Sequence, residues 1–282
     1  MITLTQVDFN YDKNTRLFTD LKLELSAGNI CGLLGKNGAG KTTLLKILAG
    51  LIFPTQGQCE VMAYTPKQRE PEFLAEVYFL PEDVFVPALR PKQYANFYAG
   101  FYPRFDHDLL KHCLREFELP SDKLLTEFSH GQKKKFLIAF GLATQAKLFI
   151  LDEPTNGLDI PSKAQFRKLL ASTITEEKLF IISTHQVRDV ENLIDRVVML
   201  EAGNIIFNQT MNDVNTQLTV IQTPSEPDHK TCLYYEKNLL SYTVLTQQEN
   251  HSTQIDLELL FNAVLANSQK INTIFAGVNH ES

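Results

Sequence analysis

Short runs of apolar residues recur along the chain and predict buried β-strands. Residues 30–34, 148–151, 179–182 and 197–200 are apolar without the alternation of a strand that has one face in water. Runs of this length are typical of strands covered on both faces. Segments with helical spacing separate them, for example residues 163–172, and strands that alternate with helices form parallel sheets. The pattern therefore predicts an α/β fold.

Two further regions depart from this alternation. Residues 2–9 and 21–25 alternate apolar and polar positions, as half-exposed antiparallel strands do. From about residue 87 to 146 the pattern is helical, aromatic and interrupted by prolines. We expect an N-terminal antiparallel β-subdomain and an inserted helical subdomain.

The chain becomes polar and strand-like beyond residue 211. Short candidate strands lie at 217–222, 232–235 and 241–245. A final stretch has one apolar face at helical spacing, formed by Leu257, Leu260, Phe261, Val264 and Leu265. We therefore divide the chain into a main domain, residues 1–210, and a small C-terminal α+β extension, residues 211–282.

Composition narrows the class of protein. The net charge of −6 and the pI near 5.7 argue against a nucleic-acid partner, which favours a basic surface. No run reaches the roughly 18 apolar residues of a spanning helix, and the N-terminus lacks the pattern of a signal peptide. The four cysteines and seven histidines show no metal-ligand spacing. We expect a cytosolic protein with reduced thiols and no structural metal.

The strongest chemical signal is a phosphate-binding loop. Residues 35–42 read Gly-Lys-Asn-Gly-Ala-Gly-Lys-Thr, a complete G-x-x-x-x-G-K-S/T motif between a predicted strand and a predicted helix. Glycines let successive backbone N–H groups surround phosphate oxygens, Lys41 reaches the β- and γ-phosphates, and the Thr42 hydroxyl binds Mg²⁺. An ordinary glycine-rich turn is the alternative, and the flanking elements argue against it.

Two acids follow another predicted strand. Asp152 and Glu153 come directly after residues 148–151, at the carboxyl edge where open α/β sheets bind ligands. Asp152 can hold Mg²⁺ through water, and Glu153 can orient and deprotonate a water that attacks the γ-phosphate. An acidic strand end that caps a helix is the alternative. Together with the phosphate loop, the pair predicts nucleotide hydrolysis.

Residues 2–210 resemble the ATP-binding subunit of an ABC (ATP-binding cassette) transporter. Besides the phosphate loop and the two acids, residues 128–132 resemble the signature sequence of that family, 154–159 its D-loop and 183–185 its switch-histidine segment. The motifs occur in the order typical of the family. The resemblance implies a P-loop NTPase cassette with a RecA-like parallel sheet core, and ATP and Mg²⁺ as cofactors.

The signature segment has a physical rationale of its own. Ser129 precedes an apolar-faced segment, residues 136–143, and is suited to cap that helix, whose N-terminus would then attract an anion. In the family this site binds the γ-phosphate of an ATP held by the other subunit, so that two cassettes close around two ATP molecules. We interpret the lysines at 133–135 as the solvated or phosphate-facing first turn of this helix.

The resemblance also implies individual roles. Tyr11 stacks on adenine, His185 contacts the γ-phosphate and Glu153, and Asp159 touches the phosphate loop of the partner. The implied magnesium ligands are Thr42, Glu82 and Asp152. The implied nucleotide contacts are Tyr11, Gly35, Asn37, Gly38, Ala39, Gly40, Lys41, Thr42 and Thr43 in one subunit, and Ser129, Gly131, Gln132 and Asp159 in the other.

The sequence departs from the family pattern at two of these sites. His130 replaces the first of two signature glycines, while Gly131 keeps the position where the backbone approaches phosphate most closely. Glu82 stands where glutamine is usual, so an oxygen ligand is retained and an extra negative charge slows closure. We expect ATPase activity to be retained.

We interpret the chain as an ATPase subunit of an exporter-type ABC transporter. Two cassettes, identical or paralogous, would drive separate integral membrane permease subunits at the inner face of the cell membrane, with the aromatic residues 85–102 as the contact. One alternative is a soluble ABC ATPase acting on ribosomes, DNA or cluster assembly, although the paired cassettes and coiled coils of such proteins are missing. The other is a regulatory cassette with weak hydrolysis, suggested by His130 and Glu82.

Overall fold

The computed structural model describes residues 1–12, 15–228, 232–247 and 254–276. The strands are β1 (Ile2–Asn10), β2 (Arg16–Leu25), β3 (Asn29–Leu34), β4 (Gln56–Val61), β5 (Val77–Leu80), β6 (Leu148–Asp152), β7 (Leu179–Thr184), β8 (Arg196–Glu201), β9 (Asn204–Thr210), β10 (Leu218–Thr223), β11 (Tyr234–Lys237) and β12 (Tyr242–Gln247). The α-helices are α1 (Lys41–Leu48), α2 (Pro71–Ala75), α3 (Pro91–Tyr98), α4 (His107–Glu116), α5 (His130–Ala143), α6 (Ile160–Thr173), α7 (Met211–Gln217) and α8 (Leu257–Phe275).

The central sheet has six strands in the order β5-β6-β7-β3-β8-β9. The first five are parallel and β9 is antiparallel to β8. The predicted apolar runs are β3, β6, β7 and β8, and every residue of β6 and β7 is buried. The prediction of a parallel α/β core is confirmed. Strands that are covered on both faces bury every side chain, which explains why their sequences are apolar without alternation.

Alternate residues of the central strands enter two different hydrophobic cores. Ile150 and Ile181 pack with α1 and with the antiparallel sheet β2-β1-β4, which confirms the predicted N-terminal β-subdomain. Phe149 and Phe180 point to the other face, where their rings stack with centroids 4.3 Å apart and join the core of α5 and α6. The period of two along a strand sends neighbouring side chains to opposite faces.

The helical insert consists of α3, α4 and α5 and packs on the edge strand β5. Tyr78 of β5 donates its hydroxyl hydrogen to the Leu137 carbonyl at 2.6 Å, and its ring meets that of Phe140. Gly141 permits this contact, because a Cβ at that position would lie 2.2 Å from the Tyr78 ring. The loop that follows β5 and carries Glu82 therefore begins beside the signature helix α5.

The C-terminal region adds α7, the antiparallel sheet β10-β12-β11 and α8. The three predicted strands are present, each shifted by one or two residues, and the predicted helix is α8. Its Phe275 ring meets Phe207 of β9 at 5.6 Å, and Asn272 donates to the Ile206 carbonyl at 2.9 Å. The extension therefore shares a core with the cassette, and the division at residue 210 stays a prediction. Within the described ranges, no helix has the length and hydrophobicity to cross a bilayer.

Candidate functional site

The phosphate loop follows β3 and ends where α1 begins, as its motif predicts. A Cβ at Gly35 would lie 2.4 Å from the Leu200 carbonyl oxygen, so only glycine fits this close backbone approach. Gly40 has φ +109°, a conformation that side chains disfavour. The backbone N–H groups at the start of α1 have no partner inside the helix, and they are free to bind an anion.

Lys41 folds back onto the loop that precedes it. Its Nζ atom donates to the carbonyl oxygens of Gly35 at 2.7 Å and Lys36 at 3.3 Å. Burial lowers the pKa of Lys41, and the nearby carboxylates of Glu153 and Asp152 oppose that shift. The Lys41 ammonium group therefore lies near the carboxylates of Glu153 and Asp152, and backbone carbonyls of the phosphate loop accept its hydrogen bonds.

Thr42 and Asp152 are 110 residues apart in the chain and adjacent in the structure. The Thr42 hydroxyl donates to Oδ2 of Asp152 at 2.7 Å, and the Ser183 hydroxyl donates to Oδ1. Asp152 and Ser183 pair in register at the carboxyl ends of β6 and β7. Thr42, Asp152 and Glu82 line one pocket and present hydroxyl and carboxylate oxygens, the ligands that Mg²⁺ prefers.

Glu153 and His185 form the second pair of the site. Oε1 of Glu153 lies 2.8 Å from Nδ1 of His185, and Glu153 is only 6% exposed, whereas the His185 side chain is 41% exposed. Glu153 has φ +46°, a left-handed conformation that is strained for glutamate. Its N–H donates to both the carbonyl oxygen and Oγ of Ser183, at 3.1 and 3.2 Å. A carboxylate is thereby placed at the pocket with an imidazole beside it.

Tyr11 also lines the pocket. Its ring packs edge-on against Phe9 with centroids 4.9 Å apart, and its hydroxyl lies 2.8 Å from Oγ1 of Thr43. The residue is 63% exposed, so a face of the ring is open to a ligand. Planar aromatic faces bind purines without a demanding hydrogen-bond pattern.

These groups surround one pocket of about 460 Å³. Its lining consists of Tyr11, Leu17, Asn37, Gly38, Gly40, Lys41, Thr42, Thr43, Glu82, Asp152, Glu153 and His185. Gly35 and Ala39 do not line it: the Gly35 carbonyl accepts from Lys41, and Ala39 is buried. The structure thus brings together most residues that the sequence predicted for one subunit, and adds Leu17.

The signature residues lie outside this pocket. Ser129 and Gln132 form a reciprocal cap at the N-terminus of α5, with distances of 3.2 and 3.0 Å, which confirms the predicted capping role of Ser129. A Cβ at Gly131 would lie 2.9 Å from the Gly157 carbonyl oxygen, so the signature and the D-loop touch. Asp159 caps α6 by accepting from the Ser162 N–H at 2.9 Å.

The prediction for the lysine run is wrong at its middle residue. Lys134 is fully buried and its Nζ donates to the carbonyl oxygens of Glu153 and Asn156. Sequence reasoning also missed the link between Asn156 and Glu82, in which Nδ2 donates to Oε1 at 3.2 Å. The available signal was the helical position of Lys134, three residues before Leu137 and four before Ile138, which places it on the same side of α5 as two buried apolar residues.

Comparison with known proteins agrees with this geometry. A family model described as "ABC transporter" matches residues 18–156. The ATP-binding protein YtrB of Bacillus subtilis is 27% identical over 81% of this chain and 78% of its own, and the SkfA peptide export ATP-binding protein SkfE of the same organism is 32% identical over 66% and 80%. A solved structure of an ATP-binding subunit of an ABC transporter aligns over 76% of this chain and 92% of its own, with a TM-score of 0.69 and 23% identity.

Proposed function

This chain belongs to the ABC transporter family, as an ATP-binding and ATP-hydrolysing subunit, and we propose that Glu153 activates the attacking water in the pocket beside the phosphate loop. The observation that carries the assignment is the meeting of two pairs in that pocket: Thr42 with Asp152 at 2.7 Å, and Glu153 with His185 at 2.8 Å. The oxygens of Thr42 and Asp152 are ligands for the metal that accompanies ATP, and Glu153 and His185 are groups that can transfer a proton.

Each residue of the pocket has a separate role in ATP hydrolysis. Lys41 leaves the Gly35 and Lys36 carbonyls and pairs with the phosphate oxygens, which attract its charge more strongly. The backbone N–H groups of residues 37, 38 and 40–42 bind the remaining oxygens, whereas that of Ala39 donates to the Lys36 carbonyl at 3.1 Å. Glu153 accepts a proton from the water that attacks the γ-phosphate, and His185 holds the Glu153 carboxylate in place. Tyr11 supplies the surface on which adenine stacks.

Magnesium fits the oxygen donors of this pocket. The ion usually takes one or two carboxylates together with substrate phosphate oxygens and water. Thr42, Asp152 and Glu82 would hold it, with Asn156 fixing the Glu82 carboxylate from behind. When bound, Mg²⁺ neutralises charge that develops on the phosphate oxygens.

The hydrolytic unit is a dimer of cassettes. Ser129, Gly131, Gln132 and Asp159 lie outside the pocket, and Ser129 is exposed at the capped N-terminus of α5. Beside Asp159, Ile160 is 83% exposed, so this surface also offers an apolar side chain to a partner. A second cassette turned head to tail brings this surface to the γ-phosphate of the first, so each site contains residues of both chains.

The partner that the dimer drives is an integral membrane permease. A groove of about 920 Å³ lies between β5, α2 and the helical insert, and its lining is mostly apolar and aromatic. Phe85 and Phe101 line this groove and are largely exposed, and Phe97 on α3 is exposed as well. Such a groove can bind an apolar helix of the permease. Because Pro81 and Asp83, the chain neighbours of Glu82, line it, a movement of Glu82 at the nucleotide is transmitted to that helix. A permease partner would hold the subunit at the inner face of the membrane, and the similarity to the peptide export protein SkfE supports export.

The base assignment is tested with matched glutamate variants. Glu153→Gln should lower phosphate release from Mg²⁺-ATP by about 10²- to 10⁴-fold, the range for removal of a general base, while a fluorescent ATP analogue still binds. Glu177→Gln is the control, since Glu177 is exposed at the opposite edge of the sheet and should leave turnover unchanged. Undiminished turnover in Glu153→Gln would rule out Glu153 as the base.

The dimer is tested by mixing two inactive chains. Lys41→Ala removes the phosphate contact, and Ser129→Arg blocks the exposed signature surface, so each chain alone should be inactive. In a mixed dimer, one site combines an intact pocket with an intact signature, and activity should partly return. No recovery of activity on mixing would contradict a shared site.

Purification of the chain from solubilised membranes tests for the permease partner. Recovery of the chain with ribosomes or other soluble partners alone would favour a soluble ABC ATPase.

A further inference from the structure

Lys134 is a buried charged residue to which the mechanism above gives no role. It lies on α5 with no exposed surface. Its Nζ donates to the carbonyl oxygen of Glu153 at 3.0 Å and to that of Asn156 at 3.1 Å. A lysine is seldom buried this completely unless its ammonium group has specific partners. Here both partners are backbone carbonyls of the turn that carries the general base.

The turn needs such support because Glu153 is held in a strained conformation. Its φ of +46° lies in the left-handed region, which a glutamate leaves readily unless its surroundings hold it. Ser183 holds the peptide group before Glu153, and Lys134 holds the one after it. With both peptide groups fixed, the Cα–Cβ bond has one direction, and the carboxylate stays 2.8 Å from His185.

The charges around Lys134 favour this arrangement. Burial lowers the pKa of Lys134, and the carboxylates of Glu82 and Glu153 oppose that shift. The same lysine also contacts the Asn156 carbonyl, and the Asn156 side chain donates to Glu82. The Lys134 ammonium group therefore contacts the backbone of Glu153 directly and is linked to the Glu82 carboxylate through Asn156 of the D-loop.

We propose that Lys134 is a positioning residue for ATP hydrolysis, which connects the signature helix α5 to the backbone of Glu153. The proposal rests on the proposed function, in which Glu153 is the base. Because Ser129 caps the same helix, a displacement of α5 when the partner nucleotide binds moves the Lys134 ammonium and with it the Glu153 turn. The base of one site thus responds to the nucleotide that α5 contacts in the other.

The test compares Lys134→Met with a matched variant, Lys178→Met. Lys178 is also buried, and its Nζ also donates to two oxygens, those of Gln145 and Thr173, at 2.9 and 3.0 Å. It precedes β7, at the amino edge of the sheet, whereas Glu153 lies at the carboxyl edge. Both variants lose a buried ammonium and should unfold at lower temperature. Only Lys134→Met should lower the kcat for ATP.

The expected loss in Lys134→Met is about 10- to 100-fold in kcat, which corresponds to hydrogen bonds of a charged donor, with the KM for ATP nearly unchanged. Lys134→Gln, which retains one donor group, should recover part of the loss and serves if the methionine variant does not fold. An unchanged kcat in Lys134→Met, or an equal loss in Lys178→Met, overturns the proposal. An inactive wild-type chain would instead overturn the proposed function.

Discussion

Ser183 connects the two acids of the site, and its replacement by alanine gives a quantitative test of the geometry. Ser183 is fully buried on β7. Its hydroxyl donates to Oδ1 of Asp152 and accepts the N–H of Glu153 at 3.2 Å. We predict that Ser183→Ala lowers both the free energy of unfolding and the ATP turnover, although Ser183 is not itself a predicted ligand.

The size of the effect follows from the bonds that alanine removes. A hydrogen bond to a charged group contributes about 1.5–3 kcal/mol. The Glu153 N–H keeps its second acceptor, the Ser183 carbonyl at 3.1 Å, so no buried backbone donor is left without a partner. The loss should therefore be that of the Asp152 bond, about 1.5–3 kcal/mol. If all of it is expressed in the transition state, kcat falls by up to about 100-fold.

Chemical denaturation and phosphate-release assays on the same preparations measure both quantities. The matched control is Ser172→Ala, since the Ser172 hydroxyl donates at 2.8 Å to a neutral carbonyl, that of Leu169, on an exposed part of α6. That bond contributes about 1 kcal/mol or less, and its loss should leave kcat unchanged. If Ser183→Ala is no less stable than Ser172→Ala, and equally active, Ser183 does not hold Asp152 and the described arrangement of the acids is wrong.

Three further predictions concern the loop, a buried thiol and the extension. Gly35→Ala places a Cβ 2.4 Å from the Leu200 carbonyl oxygen, and the affinity for a fluorescent ATP analogue should fall about tenfold or more; unchanged affinity would contradict this packing. Burial raises the pKa of Cys31 to about 12 from 9.0, so the folded state keeps a proton that the unfolded chain loses. This contribution is complete below pH 9.0 and is lost as the pH rises toward 12; the free energy of unfolding should therefore fall less in Cys31→Val than in wild type between pH 9 and 11, and equal slopes would refute it. Removal of residues 215–282 should leave nucleotide affinity intact, because the pocket ends at His185, yet lower the melting temperature by exposing Phe207; loss of binding would show that the extension supports the pocket.

Several features could be predicted because their causes are local in the chain. The loop at 35–42 contains its own strand end, glycines and helix start, so its conformation follows from contiguous residues. The cap of α5 is also local, since Ser129 and Gln132 are three residues apart. The strands β6 and β7 were predictable from their uninterrupted apolar runs. The short helix α7 was not, because Met211–Gln217 has no marked apolar face.

The class of fold, the phosphate loop and the pair of acids follow from the amino-acid sequence alone, since periodicity and motif are properties of neighbouring residues. Which residues meet depends on how the elements pack. Thr42 reaches Asp152, and Glu153 reaches His185, because the order of the strands places the carboxyl ends of β3, β6 and β7 side by side. The lysine run was interpreted as a solvated or phosphate-facing helix turn, but the packing of α5 on the Glu153 turn buries Lys134, and no local pattern of residues specifies this contact between two elements.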